Sequence, residues 1–379
     1  MRIVFASPPA YGHLYPLLPL ALAAVEAGHE VTVATGAPFL DRLPVPTVPL
    51  LPAESTMPAL RELTRHNHPE LDTSTIDGII EFGGRMFGHT LPRAVVPVLL
   101  DVLTRVRPDL VVYECNNVGA AIAADLLGIR AVAFGVGAAT EVFQDWHRIA
   151  VEDQRDRWAS GRPGDLASYP GGYLDPVPRS LYRDWPLPPP NRLPVRPVSW
   201  SEPAPLPAIL SGPARRPRVY VTLGTVAYGA VDVLRRAVTE TAAHDVDVLV
   251  AVGPDGDPAA LGELPRNVYL ARFVPQAEVL RRVHLVVHHG GAGTMLGALA
   301  SAVPQFVLPQ GADQPLNATL VERAGAGSAL RGDALVPGAI AATVATLLQD
   351  GPQRVVAKQF ATEIAALPTP AEVIPALTR

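Results

Sequence analysis

Chemistry that depends on sulfur has little to work with in this sequence: among 379 residues there is a single cysteine, Cys115. An intrachain disulfide and a thiolate-rich zinc site are therefore excluded. Lysine is equally scarce, with Lys358 alone among cations that are otherwise arginine. We read this as genomic bias. Thirty-one basic residues face 36 acidic ones, giving a net charge of −5 with no basic run, so the chain offers no electrostatic footprint for a nucleic-acid backbone. No stretch reaches the ~18 apolar residues that span a bilayer, and the four apolar residues Ile3–Ala6 fall short of a secretory signal. The expectation is a cytoplasmic protein with neither nucleic acid nor membrane as partner.

What is present is apolar: 48% of residues are hydrophobic and 18% charged, enough to bury a large core and too many for a disordered tail. The length exceeds what one core usually organises, so two domains are expected. The 41 prolines and 31 glycines fall at segment ends and form no collagen-like period.

Strand and helix signals alternate. Ile3–Ala6 reads as a strand, followed by apolar residues at helical spacing (Leu14, Leu17, Leu18, Ala21, Leu22, Val25), a stop at Gly28 and a strand at Val31–Ala34. The unit returns with a strand at Asp109–Tyr113, a helix at Val118–Leu127 and a strand at Ala131–Phe134. Eleven prolines between Pro186 and Pro217 mark a connection of extended, weakly packed backbone. Beyond it, strands are predicted at Val219–Leu223, Val246–Val252, Leu285–His288 and Gln305–Leu308, with helices at Val231–Ala243, Gln276–Arg282 and Thr294–Ala302. The boundaries predicted are a first domain over 1–200, a linker over 201–217, a second domain over 218–360 and a helical tail over 361–379. Such alternation implies two α/β, doubly wound parallel sheets facing across a cleft, with ligands beyond the carboxyl ends of the strands.

At one such edge, the predicted strand Leu285–His288 runs into "HGGAGT" and then a helix. Gly290, Gly291 and Gly293 let an anion approach free backbone N–H groups at the positive end of a helix dipole, and His289 adds a donor. Simple tight packing, with His289 capping a backbone group, is the competing reading. A nicotinamide cofactor is disfavoured, because no acidic residue stands on the next strand, Gln305–Leu308. Gly224-Thr225 and Asp313-Gln314 also follow strands. Thr225 can donate to phosphate, and the Asp–Gln pair suits a ligand rich in hydroxyls; Asp313 can equally be a helix N-cap.

Across the boundary, His13 lies where the first strand hands over to the first helix, and Glu114 ends the strand Asp109–Tyr113. Together they read as a general base and the carboxylate that orients it; a helix cap and a solvated strand end are the plainer alternatives. The pairs Asp245/Asp247 and Asp255/Asp257 read as turn formers, and His66 and His68 as part of a mobile surface segment. No metal site is expected.

The strings "GHLYPLLPLA", "VTLGT", "FVPQAEVL", "HHGGAGT" and "PQGADQPLNA", in this order, resemble the GT-B, family-1-type nucleotide-sugar-dependent glycosyltransferases that decorate bacterial polyketide and antibiotic aglycones. The resemblance covers the whole chain. It implies an acceptor-binding first domain, onto which the tail packs back, and a nucleotide-sugar-binding second domain. It implies His13 as base with Glu114, and a pyrophosphate held by His289, Gly290–Thr294 and Thr225. Phe273, Val274 and Gln276 would meet the nucleotide base, and Asp313 and Gln314 the sugar hydroxyls. Met86, Phe87, Phe134, Phe143 and Trp146 would line an apolar acceptor pocket, though each alone also reads as core packing.

Three positions depart from the family pattern: Phe273 for a stacking tryptophan, Gly297 for the glutamate of ribonucleotide users, and Glu114 for an aspartate one methylene shorter. The missing glutamate favours a dTDP-deoxysugar. The expected reaction is inverting, metal-independent transfer in antibiotic biosynthesis, with the nucleoside diphosphate sugar as co-substrate and no cofactor. The alternatives are a UDP-sugar transferase of broad small-molecule specificity and a nucleotide-sugar-binding protein without transferase activity. Oligomeric state is open, a homodimer included.

Overall fold

The computed structural model describes residues 1–73, 75–138, 169, 171–182, 191–224, 231–253 and 256–378. They form two compact units. The first draws on Met1–Val177, Asp184–Arg196 and Pro368–Arg379, and the second on Pro178–Arg183 and Pro197–Leu367.

The first unit is built on a parallel sheet of β1 (Arg2–Ala6), β2 (Glu30–Thr35), β3 (Thr47–Pro49), β4 (Leu110–Glu114), β5 (Arg130–Phe134), β6 (Tyr173–Asp175) and β7 (Arg192–Pro194), in the order β3-β2-β1-β4-β5-β6-β7. β1 is an inner strand, with Phe5 in register with Val33 on one side and Val112 on the other. Strands covered on both faces carry continuous apolar runs, and Ile3–Ala6 and Leu110–Tyr113 are buried throughout. The predicted first helix divides into Tyr11–Leu14, a 3-10 turn at Tyr15–Leu17 and Leu18–Glu26. Pro16 and Pro19 sit where helix starts tolerate a missing N–H, and Val25, expected inside, is exposed.

A helical run absent from the sequence prediction follows β3: Met57–Asn67, Ile76–Arg85, a π-turn at Met86–Thr90, and Leu91–Val106. Its stretch Asp77–Val106 is long and apolar enough to cross a membrane by length and composition, although the sequence is read as having none. Here its buried face, with Val95, Leu99, Val102 and Leu103, belongs to the core beside Val111 and Ala120. The helix Pro370–Leu377 opens with a capping box between Thr369 and Glu372. It packs on Leu18–Glu26, while Arg130 donates to the Leu377 carbonyl at 2.8 Å.

In the second unit β8 (Arg218–Thr222), β9 (Asp247–Ala251), β10 (Val268–Ala271), β11 (Leu285–His288), β12 (Gln305–Val307) and β13 (Gly327–Ala329) form a parallel sheet in the order β10-β9-β8-β11-β12-β13. Part of the segment read as a weakly packed linker is core: Leu210 is buried with Tyr220 and Leu249, and Leu206 and Ile209 pack on them. Residues 361–367 of the predicted tail belong here, because the helix Pro352–Ala365 packs on Ala292–Ala300.

Candidate active site

In both sheets the winding reverses between two adjacent strands, β1 and β4 in the first unit and β8 and β11 in the second. Ligands bind at such switch points in open parallel sheets.

At the first switch point, the chain leaves β1 through Ser7–Ala10 and enters the helix that carries His13, whose N–H donates to the Ala10 carbonyl at 3.0 Å. Glu114 closes β4. Its carboxylate is fully buried, and Oε2 lies 3.2 Å from Nδ1 of His13, whose side chain keeps 22% of its exposure. Oε1 accepts from the Asn116 backbone N–H at 3.1 Å, from Asn116 Nδ2 at 2.9 Å and from the Cys115 thiol at 3.5 Å. Burial holds that thiol in its neutral form, its pKa well above 9.0. The two predicted residues thus meet, and Glu114 is no solvated strand end.

Phe87 joins them, its ring centroid 5.5 Å from that of His13 at an interplanar angle of 36°. It is half-buried, whereas Met86 and Phe134 are buried. A π-turn of this kind often marks a functional site. Phe143 and Trp146 lie outside the described residues.

At the second switch point, the buried His288 braces the glycine turn. Its Nδ1 accepts from the Gly290 N–H at 3.1 Å, and its Nε2 lies 2.9 Å from Gln305 Oε1. Burial pulls its pKa down to about 3, so the ring is neutral and donates from Nε2. Gly290 has φ +95°, and its carbonyl accepts from Asn317 Nδ2 at 2.8 Å. Its N–H is therefore occupied, and the expectation that it meets a phosphate is corrected. The N–H groups at the start of the helix Ala292–Ala300 remain, since the first bond back is from Thr294 to the Gly291 carbonyl.

His289 sits between two glycines. A Cβ at Gly224, where φ is +82°, would come within 2.5 Å of the ring's Cε1, and one at Gly291 within 2.5 Å of Nε2. These glycines make room for an imidazole. Burial lowers the His289 pKa to about 4 against a hydrogen bond to the Thr222 backbone, so the ring carries no positive charge near pH 7.

Thr225 lies outside the described residues. Thr294 Oγ1 donates to Gln276 Oε1 at 3.2 Å, which joins two of the predicted positions. Phe273 is half-buried, while the Val274 side chain is part of the core beside Val279 and Leu280. Asp313 stands at the N-cap position of Gln314–Arg323 without capping it, and Oδ2 instead accepts from Asn317 Nδ2 at 2.9 Å. Gln314 is buried, and its Oε1 accepts from the N–H groups of Gln310 (2.7 Å) and Gly311 (3.1 Å). The expectation that its oxygen meets sugar hydroxyls is corrected, because the turn uses that oxygen.

Other predicted features are structural. Asp245 and Asp247 pair with Arg216, and Asp257 caps a 3-10 turn. Asp255 lies outside the described residues. His68, read as part of a mobile segment, is half-buried, pairs with Glu70 and stacks edge-on against His89. Asn116, His288, Gln305 and Asn317 were not predicted, although Asn116 stands two residues beyond Glu114 and His288 immediately before His289.

Comparison with known proteins decides the family. Residues 235–379 match the family described as erythromycin biosynthesis protein CIII-like, C-terminal domain. The L-demethylnoviosyl transferase of Streptomyces niveus is 32% identical over 98% of this chain and 96% of its own length. This chain belongs to the antibiotic-tailoring glycosyltransferases. The 10-deoxymethynolide desosaminyltransferase of Streptomyces venezuelae is 31% identical, over 100% of this chain and 97% of the relative. Spinosyn rhamnosyltransferase SpnG, solved in complex with thymidine diphosphate, superposes with a TM-score of 0.82 at 26% identity, covering 100% of both chains. The fold is GT-B, and the chain is a nucleotide-sugar glycosyltransferase of antibiotic biosynthesis. The alternative of a binding protein without transferase activity is set aside.

Proposed function

We propose that this glycosyltransferase moves a deoxysugar from a dTDP-linked donor to a hydrophobic aglycone, inverting the anomeric carbon without a metal. The observation that carries this reading is the His13–Glu114 pair: a part-exposed imidazole with a buried carboxylate behind its far nitrogen. With the proton on Nδ1, 3.2 Å from Glu114 Oε2, Nε2 takes the proton of an acceptor hydroxyl as its oxygen attacks the anomeric carbon. The bond to the diphosphate breaks in the same displacement, and the configuration inverts.

The leaving diphosphate collects negative charge. In the second unit the free N–H groups of Ala292 and Gly293 and the dipole of the helix they open supply fixed donors for it, with His289 beside them. Asp313 takes donor-sugar hydroxyls, and Phe87 contributes to the aglycone site, whereas Met86 and Phe134 are core side chains. Among the described residues no group of three His, Cys, Asp or Glu side chains gathers to hold a metal ion.

Support for the thymidine nucleotide comes from the TDP-bound relative and from Gly297. A Cβ at Gly297 would meet Leu280 Cδ1 and Ser199 Oγ at 2.9 Å each, so a glutamate for ribose hydroxyls needs both to move. We place the reaction in the cytoplasm. The test is incubation with a panel of dTDP- and UDP-sugars and aromatic polyketides, following nucleoside diphosphate release and reading the product's anomeric configuration by NMR. Acceptor-dependent release from UDP-sugars alone, or a retained configuration, overturns the reading.

A further inference from the structure

The buried carboxylate raises a problem that its neighbours solve. A glutamate has one more rotatable bond than an aspartate, and an unanchored carboxylate can turn either oxygen, or neither, toward an imidazole. We propose that Asn116 is the positioning residue that lets a glutamate serve as the partner of His13. It acts through Glu114 and rests on the reading of His13 as base.

Two N–H groups of Asn116 converge on Oε1, at 3.1 Å from the backbone and 2.9 Å from Nδ2. The backbone around them is fixed, because the Asn117 N–H donates to the Glu114 carbonyl at 2.7 Å and Glu114 is in register with Phe134 on β5. A buried carboxylate needs donors, and a carboxylate oxygen holding two hydrogen bonds resists rotation. Oε2 carries no well-aligned hydrogen bond and has the His13 ring nitrogen at 3.2 Å. Asn116 thus selects which oxygen faces the imidazole.

The experiment uses the full-length protein. Long-range 1H–15N spectra read the His13 tautomer, with the resonance assigned through His13→Gln. Initial rates are taken with dTDP-glucose and 4-methylumbelliferone, and for donor hydrolysis by water. The wild type is expected to hold the proton on Nδ1. Asn116→Ala should shift His13 toward the Nε2–H form and lower kcat roughly tenfold to a hundredfold, with KM for dTDP-glucose within about twofold. Asn116→Ser, which restores a donor, should recover part of both, and thermal melts show whether each variant is folded.

Glu114→Asp should cost a similar factor alone and add little on top of Asn116→Ala, since the two share one interaction. An Asn116→Ala enzyme with Nδ1–H retained and kcat within twofold of wild type overturns the proposal while leaving His13 as base. Full turnover by His13→Gln overturns the base itself, and the proposal with it.

Discussion

The two units wind their sheets alike, through β3-β2-β1-β4-β5 in one and β10-β9-β8-β11-β12 in the other, yet equip the same point differently. Where β1 and β4 meet, the chain places a part-exposed imidazole on a buried carboxylate. Where β8 and β11 meet, it places glycines around a neutral imidazole and the open end of a helix. Topology determines where polar groups can gather, and the residues after each strand determine what they do. In this comparison the first unit suits proton transfer and the second suits holding an anion with fixed dipoles.

The contrast is broken most directly by His13→Ala. Turnover should fall by about 10² to 10⁴-fold, the usual worth of a general base, while dTDP affinity measured by calorimetry stays at the wild-type value. The converse is Gly224→Ala. Its Cβ displaces the His289 ring and forces a non-glycine residue to positive φ, at roughly 1–2 kcal/mol. The dTDP dissociation constant should rise about tenfold or more, and His13's proton transfer should be unaffected once donor is saturating.

A third test uses acidity. His288 and His289 in the folded chain lie near 3 and 4, below their ordinary 6.5. As pH falls from 6.5, the unfolded chain therefore takes up protons first. The stability these residues contribute is complete above 6.5 and is lost as pH falls through about 4 and then 3. Melting temperatures between pH 8 and pH 4 should decline in that window, and His288→Gln should flatten the decline. The smallest effect is expected from Phe87→Ala: a rise of about threefold in the acceptor KM, through lost apolar contact, with dTDP binding unchanged.

The central strands were legible in the sequence because buried parallel strands are written as apolar runs, as in Ile3–Ala6 and Leu285–His288. The strands β3, β6, β7, β10 and β13 were not. All but β10, with four, have three residues; β3 and β7 end in proline, and β13 is Gly-Ser-Ala. Register with a neighbour makes them strands, and composition does not announce it. His13 and Glu114 could be paired from their positions at strand ends. The occupation of the Gly290 N–H by His288 could not, since it depends on a ring turning back into its own loop. Asp313 shows the same limit: its place at a helix start is readable, whereas its bond to Asn317 comes from one helical turn further on.

The helix Pro370–Leu377 completes the first unit although it follows the whole of the second in the sequence. During synthesis, the ribosome must release β8 to β13 and their helices before Arg130 can find the Leu377 carbonyl. The amino-terminal half then waits with one flank of Leu18–Glu26 uncovered. A nascent chain stalled after Leu367 should expose that flank to chaperones, and protection of it should mark the final step of maturation.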